Sequence, residues 1–116
     1  MGLKSYKPYT KSTRTTVLVD RKNIWKGSPY KPLTRGKHSS GGRNNLGRIT
    51  SRARGAGHKK RYRIIDFHRN KIDMIGTVDR IEYDPNRSSH IALITYEDKT
   101  KTYIICPQNI KIGDKI

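Results

Sequence analysis

Charge is distributed unevenly along this chain, and the distribution limits what its first half can fold into. Residues 1–60 contain 16 Lys and Arg but one acid, Asp20, whereas residues 61–116 contain 10 Lys and Arg and 8 acids. Eight of the ten glycines lie at or before Gly57, and the aliphatic residues of the first half are single or in the short run 17–19. Such a segment buries too little apolar surface to offset the entropy of ordering. We therefore expect residues 1–60 to form a long, irregular basic extension that orders on a partner.

The class of partner follows from a net charge of +17 over 116 residues. This charge repels itself unless a polyanion neutralises it, so nucleic acid or an acidic membrane surface is the expected partner. Composition favours nucleic-acid binding over non-specific electrostatics or a targeting arm. No apolar run approaches the ~18 residues that a membrane span requires, and we expect no membrane partner. The start, MGLKSYKPYTKSTR, is basic and Ser/Thr-rich like a mitochondrial presequence, but Pro8 and the missing apolar face disfavour the amphipathic helix of such a presequence.

The second half alternates β-rich segments with turn residues, which is typical of an all-β domain. Four strands are predicted, at 62–67, 74–83, 90–96 and 101–106, with a fifth supplied by residues 108–116 or by the extension. Residues 97–100 favour a hairpin, although Lys99 stands where a tight turn prefers glycine. The pattern fits a small oligonucleotide-binding (OB) fold barrel over residues 61–116. Its predicted core residues are Ile64, Ile65, Val78, Ile81, Ile91, Leu93, Ile94, Ile104 and Ile105.

Catalytic and metal-binding constellations are not evident in the sequence. Cys106 is the single cysteine, and we expect it to pack as a small hydrophobe. The four histidines are spread from His38 to His90 without clustered cysteine or carboxylate partners, which disfavours a metal site. We therefore expect no enzyme activity and no cofactor, because an enzyme with a basic arm would need a nucleophile or metal ligand set. The acids expected to pair with nearby arginines are Asp66, Asp79, Glu82 and Asp84.

Aromatic residues have two possible uses in such a chain. Trp25 and Tyr30 could stack on bases or bury a corner of the extension against the barrel, and the sequence leaves both alternatives open. The aromatic residues in or beside the predicted strands are expected in the core or the barrel wall; they are Tyr62, Phe67, Tyr83, Tyr96 and Tyr103.

One long ordered stretch resembles a known family. The run SSGGRNNLGRITSRARGAGHKKRYRIIDFHRNK, followed by IEYDPNRSSHIALITYED, is similar to the signature region of the large-subunit ribosomal protein numbered two, in its bacterial and organellar form. The likeness extends to KGSPYKPLTRG and YIICPQNIKIGD, so it covers essentially the whole chain. It implies a structural constituent of the large ribosomal subunit that binds ribosomal RNA (rRNA) and supports assembly and translation. The extension would thread into rRNA, with the OB-fold barrel against it.

The resemblance also marks individual residues. The family's Gly-Gly-Arg-Asn-Asn stretch falls on residues 41–45, its Gly-Arg-Ile-Thr on 47–50, and its glycine-rich turn on 55–59, where Ala56 replaces a usual glycine. An alanine held at positive φ there would cost about 1 kcal/mol. Arginine offers bidentate phosphate contacts and stacking, and asparagine reaches base edges and ribose hydroxyls. The predicted rRNA-binding residues are Lys37, His38, Arg43, Asn44, Asn45, Arg48, Arg52, Arg54, His58, Lys59, Lys60, Arg61, Arg63, Arg69, Lys71 and Arg87.

The family normally continues beyond the position of residues 113–114 into an SH3-like barrel and a tail, and this carboxy-terminal domain is absent here. We expect one half of a protein encoded in two pieces, or a fragment; split ribosomal genes favour a mitochondrial ribosome, with bacterial cytoplasm as the alternative. The expected partners are large-subunit rRNA, neighbouring ribosomal proteins and a separate polypeptide carrying the carboxy-terminal half. The alternative function is a free-standing single-stranded nucleic-acid-binding module, which predicts sequence-tolerant binding by residues 61–116 alone.

Overall fold

Strands dominate the regular structure in the computed structural model, which describes residues 2–55 and 57–116. Two short strand pairs precede one larger sheet. In chain order the elements are β1 (Leu3–Ser5), α1 (Lys11–Thr15), β2 (Val17–Val19), a 3₁₀ turn (Lys31–Leu33), β3 (Thr34–Lys37), β4 (Lys60–Arg63), β5 (Gly76–Glu82), β6 (Ile91–Tyr96) and β7 (Lys101–Ile105). Among the described residues, neither helix is long and apolar enough to cross a membrane.

Strands β5, β6 and β7 form an antiparallel sheet in sequence order. They confirm the strands predicted at 74–83, 90–96 and 101–106, although each is shorter than predicted. The predicted hairpin is also confirmed, because the Tyr96 amide donates to the Thr100 carbonyl at 3.0 Å and the Lys99 amide donates to the Tyr96 carbonyl at 2.9 Å. Lys99 takes a φ of +62°, so it occupies the left-handed conformation for which a glycine would be preferred.

The central strand β6 is buried on both faces, which explains its uninterrupted apolar run. Successive side chains of a strand point to opposite faces. One face holds the buried cluster Ile65, Ile91, Leu93 and Tyr103, and the other holds Val78, Ala92, Ile94 and Ile104. Tyr30 and Leu33 pack against the first cluster, and Ile110 packs against the second. Residues of the extension therefore pack on one side of the core, and the carboxy-terminal segment packs on the other side.

The observed core differs from the predicted one at a few positions. Ile105 is 38% exposed, and Ile64 and Ile81 are half-buried, whereas Tyr103 and Ala92 are fully buried. Ile105 is the last residue of β7 and lies outside the buried cluster of this face. The apolar character of the sequence does not show where burial ends along β7, because that depends on which distant segments pack on the sheet.

Both edges of the sheet are covered by other segments, as a closed all-β fold requires. At the β5 edge, Gly76 and Ile116 exchange two backbone hydrogen bonds of 2.8 Å, and the Trp25 amide donates to the Ile81 carbonyl at 2.9 Å. At the β7 edge, the Asp66 amide donates to the Tyr103 carbonyl at 2.8 Å. The fifth-strand contribution predicted from residues 108–116 or from the extension thus comes from both. The result is an all-β domain of OB type preceded by a long, largely irregular basic extension.

Strand β4 lies at a different place from the strand predicted at 62–67. It runs over Lys60–Arg63 and pairs with β3, with Thr34 opposite Arg63 and Lys37 opposite Lys60. Beyond Arg63 the chain leaves β3, and Ile65 makes one parallel bridge with Tyr103. Because β4 spans residue 60, the predicted boundary between extension and barrel falls within a paired strand.

A buried polar chain joins the extension to the sheet. The Tyr30 amide donates to the Tyr103 hydroxyl oxygen at 2.8 Å, and this hydroxyl donates to the Glu82 carboxylate, whose two oxygens both lie at 3.0 Å. The Arg80 Nε donates to Glu82 at 2.7 Å, so the 3% exposed carboxylate is paired. Burial, with a contribution from the Glu82 charge, raises the pKa of Tyr103 to about 12.

Candidate nucleic-acid interface

The stretch from Gly41 to Ser51 folds back on itself to form a closed loop. The amides of Thr50 and Ser51 both donate to the Gly42 carbonyl, at 3.0 and 3.1 Å, and Arg43 forms an antiparallel bridge with Ile49. Gly42 is buried with a φ of +76°, and a Cβ at this position would collide with the Ser51 carbonyl oxygen. This position therefore requires glycine, both for its conformation and for the close approach of the two backbone segments.

Asn44 holds the tip of this loop, which we call the arginine loop (residues 41–54). Its Oδ1 accepts the amides of Leu46 at 3.0 Å and Arg48 at 2.9 Å. This is the local side-chain-to-backbone bonding typical of asparagine in turns. The side-chain oxygen predicted to read base edges is thus used by the loop itself, which leaves the Nδ2 amide group for a ligand.

The arginine loop presents its cations to solvent. The residues of this loop predicted to bind rRNA are all exposed; they are Arg43, Asn44, Asn45, Arg48, Arg52 and Arg54. No acid occurs in the sequence between Asp20 and Asp66. The loop is therefore a cationic surface whose charge is not neutralised by any neighbour in sequence. Ala56, where a conformational cost is predicted if the backbone has a positive φ, lies outside the described residues.

The strand pair β3–β4, which we call the basic ribbon, brings further predicted residues together. Lys37 lies directly opposite Lys60, and like charges at opposed positions destabilise a strand pair. A cleft at this end of the ribbon is lined by His38 and His58, with Lys37 and Lys59. A polyanion placed here would relieve the repulsion that the ribbon carries by itself.

A groove runs along the other side of β4, and we call it the Tyr83 groove. One wall comes from the chain at 58–63, and the other from Pro29, Tyr83 and Pro85. The Asn86 Nδ2 donates to the Arg61 carbonyl at 2.7 Å, which ties the turn after β5 to the ribbon. Tyr83 is 39% exposed, and the Arg21 guanidinium lies 3.9 Å from its ring centroid. The groove thus combines cations with an accessible aromatic face.

Two of the predicted binding residues, Lys71 and Arg87, are paired with acids of the fold. Arg87 donates from Nε to Asp84 at 2.7 Å, and Asp84 is fully buried. Lys71 pairs with Asp98 and also contacts Thr100. The hydrogen bond from Lys71, together with those from Thr100, lowers the pKa of Asp98 to about 2. These two cations hold turns of the domain, so their charge is largely compensated before any ligand arrives. Arg69 is exposed.

The predicted arginine pairing of the acids is confirmed for Glu82 and Asp84 and wrong for the other two. Asp79 lies at the bulge of β5, where it accepts from Lys101 at 2.8 Å and from Thr95 at 2.6 Å. Burial opposes ionisation, but these hydrogen bonds and the Lys101 charge together lower the pKa of Asp79. Asp66 accepts the backbone amide of Arg69 at 2.9 Å instead of a guanidinium. No three His, Cys, Asp or Glu side chains of residues 2–55 and 57–116 are grouped to hold a metal ion.

Aromatic residues divide between core and surface differently from the prediction. Tyr103 is in the core and Tyr30 packs against it, whereas Trp25 is 49% exposed beneath the Arg80 guanidinium. Phe67 and Tyr83, predicted as core or wall, are exposed. Arg21 was not among the predicted binding residues, and no local pattern indicates its role because its partner Tyr83 is distant in sequence.

Comparison with known proteins gives one consistent result. Residues 30–116 match a family described as "Ribosomal Proteins L2, RNA binding N-terminal domain". The protein named "Large ribosomal subunit protein uL2" is 60% identical over 117 residues in Pelagibacter ubique and 60% identical over 116 residues in Ruegeria pomeroyi. The protein of that name in Rickettsia canadensis is 59% identical over 116 residues. In each case the whole of this chain is covered, but it spans only 41 to 42% of the relative's length.

Proposed function

Because this chain belongs to the ribosomal protein L2 family, we propose that it is a structural constituent of the large ribosomal subunit that binds rRNA. The observation that carries this proposal is the exposed cationic surface of the arginine loop and the basic ribbon, which lie in a stretch of sequence without acids. Cations on such a surface neutralise phosphates and release condensed counterions, which is the dominant source of affinity for RNA. The role is one of binding and positioning, not catalysis.

The binding residues divide into two groups by their environment. Thirteen of the sixteen predicted residues are exposed, and Arg63, Lys71 and Arg87 are half-buried. We expect the exposed cations of the arginine loop and basic ribbon to contribute most, because their charge is uncompensated. Lys71 and Arg87 are expected to act chiefly through the turns that they hold. Consistent with this grouping, Arg43→Ala or Arg52→Ala should impair subunit assembly more than Lys4→Ala.

We also propose that a separate polypeptide supplies the part of the family protein that this chain does not contain, and that the ribosome concerned is mitochondrial. The first point is supported by the 41 to 42% of the relatives' length that the chain spans. The second is supported by its high identity to alphaproteobacterial relatives. Bacterial cytoplasm is the alternative location.

The direct test is sucrose-gradient fractionation of a lysate from the source, with mass spectrometry of the large-subunit peak at native mass. The proposal expects this chain in the peak, ending at Ile116, beside a second polypeptide similar to the carboxy-terminal part of the family. Peptides that run through Ile116 into that part would contradict the separate polypeptide but not rRNA binding. Absence of the chain from the peak would contradict the ribosomal role and favour a free-standing RNA-binding module.

A further inference from the structure

We propose that the Tyr83 groove holds a single unpaired nucleotide of the RNA, with the base against Tyr83 and the phosphates against the cations of β4. This inference rests on the proposed function, because it names the RNA feature that one part of the interface recognises. The family likeness covers RNA binding in general, whereas the groove's chemistry concerns one nucleotide.

The ring of Tyr83 offers a flat face of the kind on which a base stacks. The Arg21 guanidinium lies 3.9 Å from the ring centroid, so the face already accepts a planar, delocalised group. Pro29 and Pro85 line the same groove and add rigid apolar surface without a backbone N–H donor. Arg21 is not among the residues that line the groove, so an unpaired base can meet the part of the ring that borders the groove.

The phosphates of the same nucleotide would meet cations on the opposite wall. Lys60 and Arg61 are exposed there, and Arg63 is half-buried beside them. The Arg63 Nη1 donates to the Arg61 carbonyl at 2.8 Å, which fixes the guanidinium close to the groove. The cations therefore belong to a paired strand, and their backbone does not need to be ordered when the RNA binds.

Arg63, which lines the groove, and Asn86, which contacts the Arg61 carbonyl, each have a buried polar atom without a partner in the part of the chain that the structure describes. The Arg63 Nε donor and the Asn86 Oδ1 acceptor are buried with no hydrogen-bond partner among the described residues. A buried donor or acceptor left unpaired costs about 1 to 3 kcal/mol, so such atoms are uncommon unless a ligand or water satisfies them. Arg63 lines the groove, so a turn of its guanidinium toward a bound phosphate would give Nε an acceptor.

The described residues that line the groove include no carboxylate. Glu82 and Asp84 flank Tyr83 in sequence, and both are buried. Glu82 is paired with Arg80 at 2.7 Å, and Asp84 accepts from Arg87 at 2.7 Å and from the Asn86 backbone amide at 2.9 Å. The groove consequently presents positive charge alone, as a phosphate site requires.

The aromatic face also distinguishes unpaired from paired RNA. In an A-form helix the bases are stacked inside, and only phosphates, riboses and groove edges are accessible to a protein. The face of the Tyr83 ring can stack on a base only when that base has left the helical stack. The groove is therefore expected to recognise a bulged or looped nucleotide within the rRNA.

The test compares two RNA hairpins of equal length, one fully paired and one with a single bulged uridine, binding to the full chain at about 0.15 M salt. Tyr83→Leu is expected to lower affinity for the bulged hairpin by about tenfold, within the effect of losing one base–aromatic stack. Tyr83→Phe retains the ring and should bind like the unaltered chain. Tyr9→Leu changes an 80% exposed tyrosine and serves as the matched control. The paired hairpin should bind all four chains equally.

A second readout is structural. A 5-iodouridine at the bulge, irradiated in the complex, is expected to crosslink to the peptide containing Tyr83. Equal affinity of the unaltered chain and Tyr83→Leu for the bulged hairpin, with no crosslink to this peptide, would overturn the groove proposal and leave rRNA binding intact. Failure of the unaltered chain to bind either hairpin or large-subunit rRNA would instead contradict the proposed function.

Discussion

The side chains opposed across β3 and β4 are mostly cationic and exposed, whereas those opposed across β5, β6 and β7 are mostly apolar and buried. Lys37 faces Lys60 in the ribbon, while Leu93 faces Tyr103 in the sheet. Both are antiparallel pairs with regular backbone bonding. The comparison shows that the ribbon is not stabilised by its own opposed side chains; packing of Leu33 and Tyr30 on the sheet holds it in place.

This difference separates stability from binding within one small molecule. Core residues on both faces of β6 provide the folding free energy, at about 1.5 to 3 kcal/mol for each fully buried large apolar side chain. The cations of the basic ribbon and arginine loop add repulsion to the folded state and are expected to gain their favourable interactions only with RNA. Substitutions in the core of the sheet should therefore lower the free energy of unfolding. Substitutions of cations in the ribbon and loop should instead lower the affinity for rRNA without lowering stability.

The largest expected effect on stability comes from deleting the part of the extension that packs on the sheet. Deleting residues 1–60 removes Tyr30, Leu33 and β3, so one face of the sheet loses its cover, and we expect no cooperative thermal transition. Deleting residues 1–29 keeps these elements and should preserve the transition at a lower Tm, because the Trp25 backbone contact to β5 is lost. Circular dichroism melting distinguishes the two. A cooperative transition in residues 61–116 alone would show that the extension is not part of the core cover.

A smaller loss is expected at the polar chain that joins the regions. Tyr103→Phe keeps the buried ring but removes the hydroxyl shared by Tyr30 and Glu82, leaving a buried amide and part of a carboxylate without their partner. The expected cost is about 1 to 3 kcal/mol in the free energy of unfolding, measured by urea titration. Tyr9→Phe, at an exposed tyrosine, should be neutral. An equal effect of both substitutions would show that the hydroxyl contributes nothing.

The same hydroxyl predicts a dependence of stability on alkaline pH. The pKa of Tyr103 is about 12 in the folded state, above the ordinary value of 10.0 expected when the chain is unfolded. Between these values the unfolded chain loses the proton that the folded chain keeps, so its stabilising contribution is complete below pH 10 and is lost as pH rises through 12. Urea midpoints measured from pH 9 to 12 should fall more for the unaltered chain than for Tyr103→Phe. Parallel curves would contradict this assignment.

The smallest expected change in stability is in the basic ribbon, where removing a charge should stabilise the fold and weaken RNA binding. Lys60→Gln removes the charge opposite Lys37 and is expected to raise the free energy of unfolding by a few tenths of a kcal/mol at low salt. The same substitution should weaken rRNA binding, because a phosphate contact is lost. Lys111→Gln removes an exposed charge outside the ribbon and should change neither quantity measurably. A Lys60→Gln chain that is less stable would show that the opposed lysines do not repel.

The sequence predicts the central sheet well because its apolar runs, turns and hairpin are local signals. It misplaces β4 because KRYR has no apolar pattern of its own and becomes a strand only through pairing with residues 34–37. The exposed cations of the arginine loop were also predictable from composition and family likeness. The structural role of Asn44 and the pairing of Arg87 with Asp84 were not, since both depend on three-dimensional contacts between individual atoms.

Removing equal charge from the two regions shows whether the arginine loop and the basic ribbon carry the rRNA affinity. One variant combines Arg43→Gln, Arg48→Gln and Arg52→Gln, and the other combines Lys99→Gln, Lys111→Gln and Lys115→Gln; all six residues are exposed. Affinity for large-subunit rRNA is measured between 50 and 200 mM salt. We expect the arginine variant to lose affinity and its slope of log affinity against log salt to fall by about two to three, while the lysine variant keeps the unaltered slope. Equal losses in both variants would show that net charge alone, not this surface, drives binding.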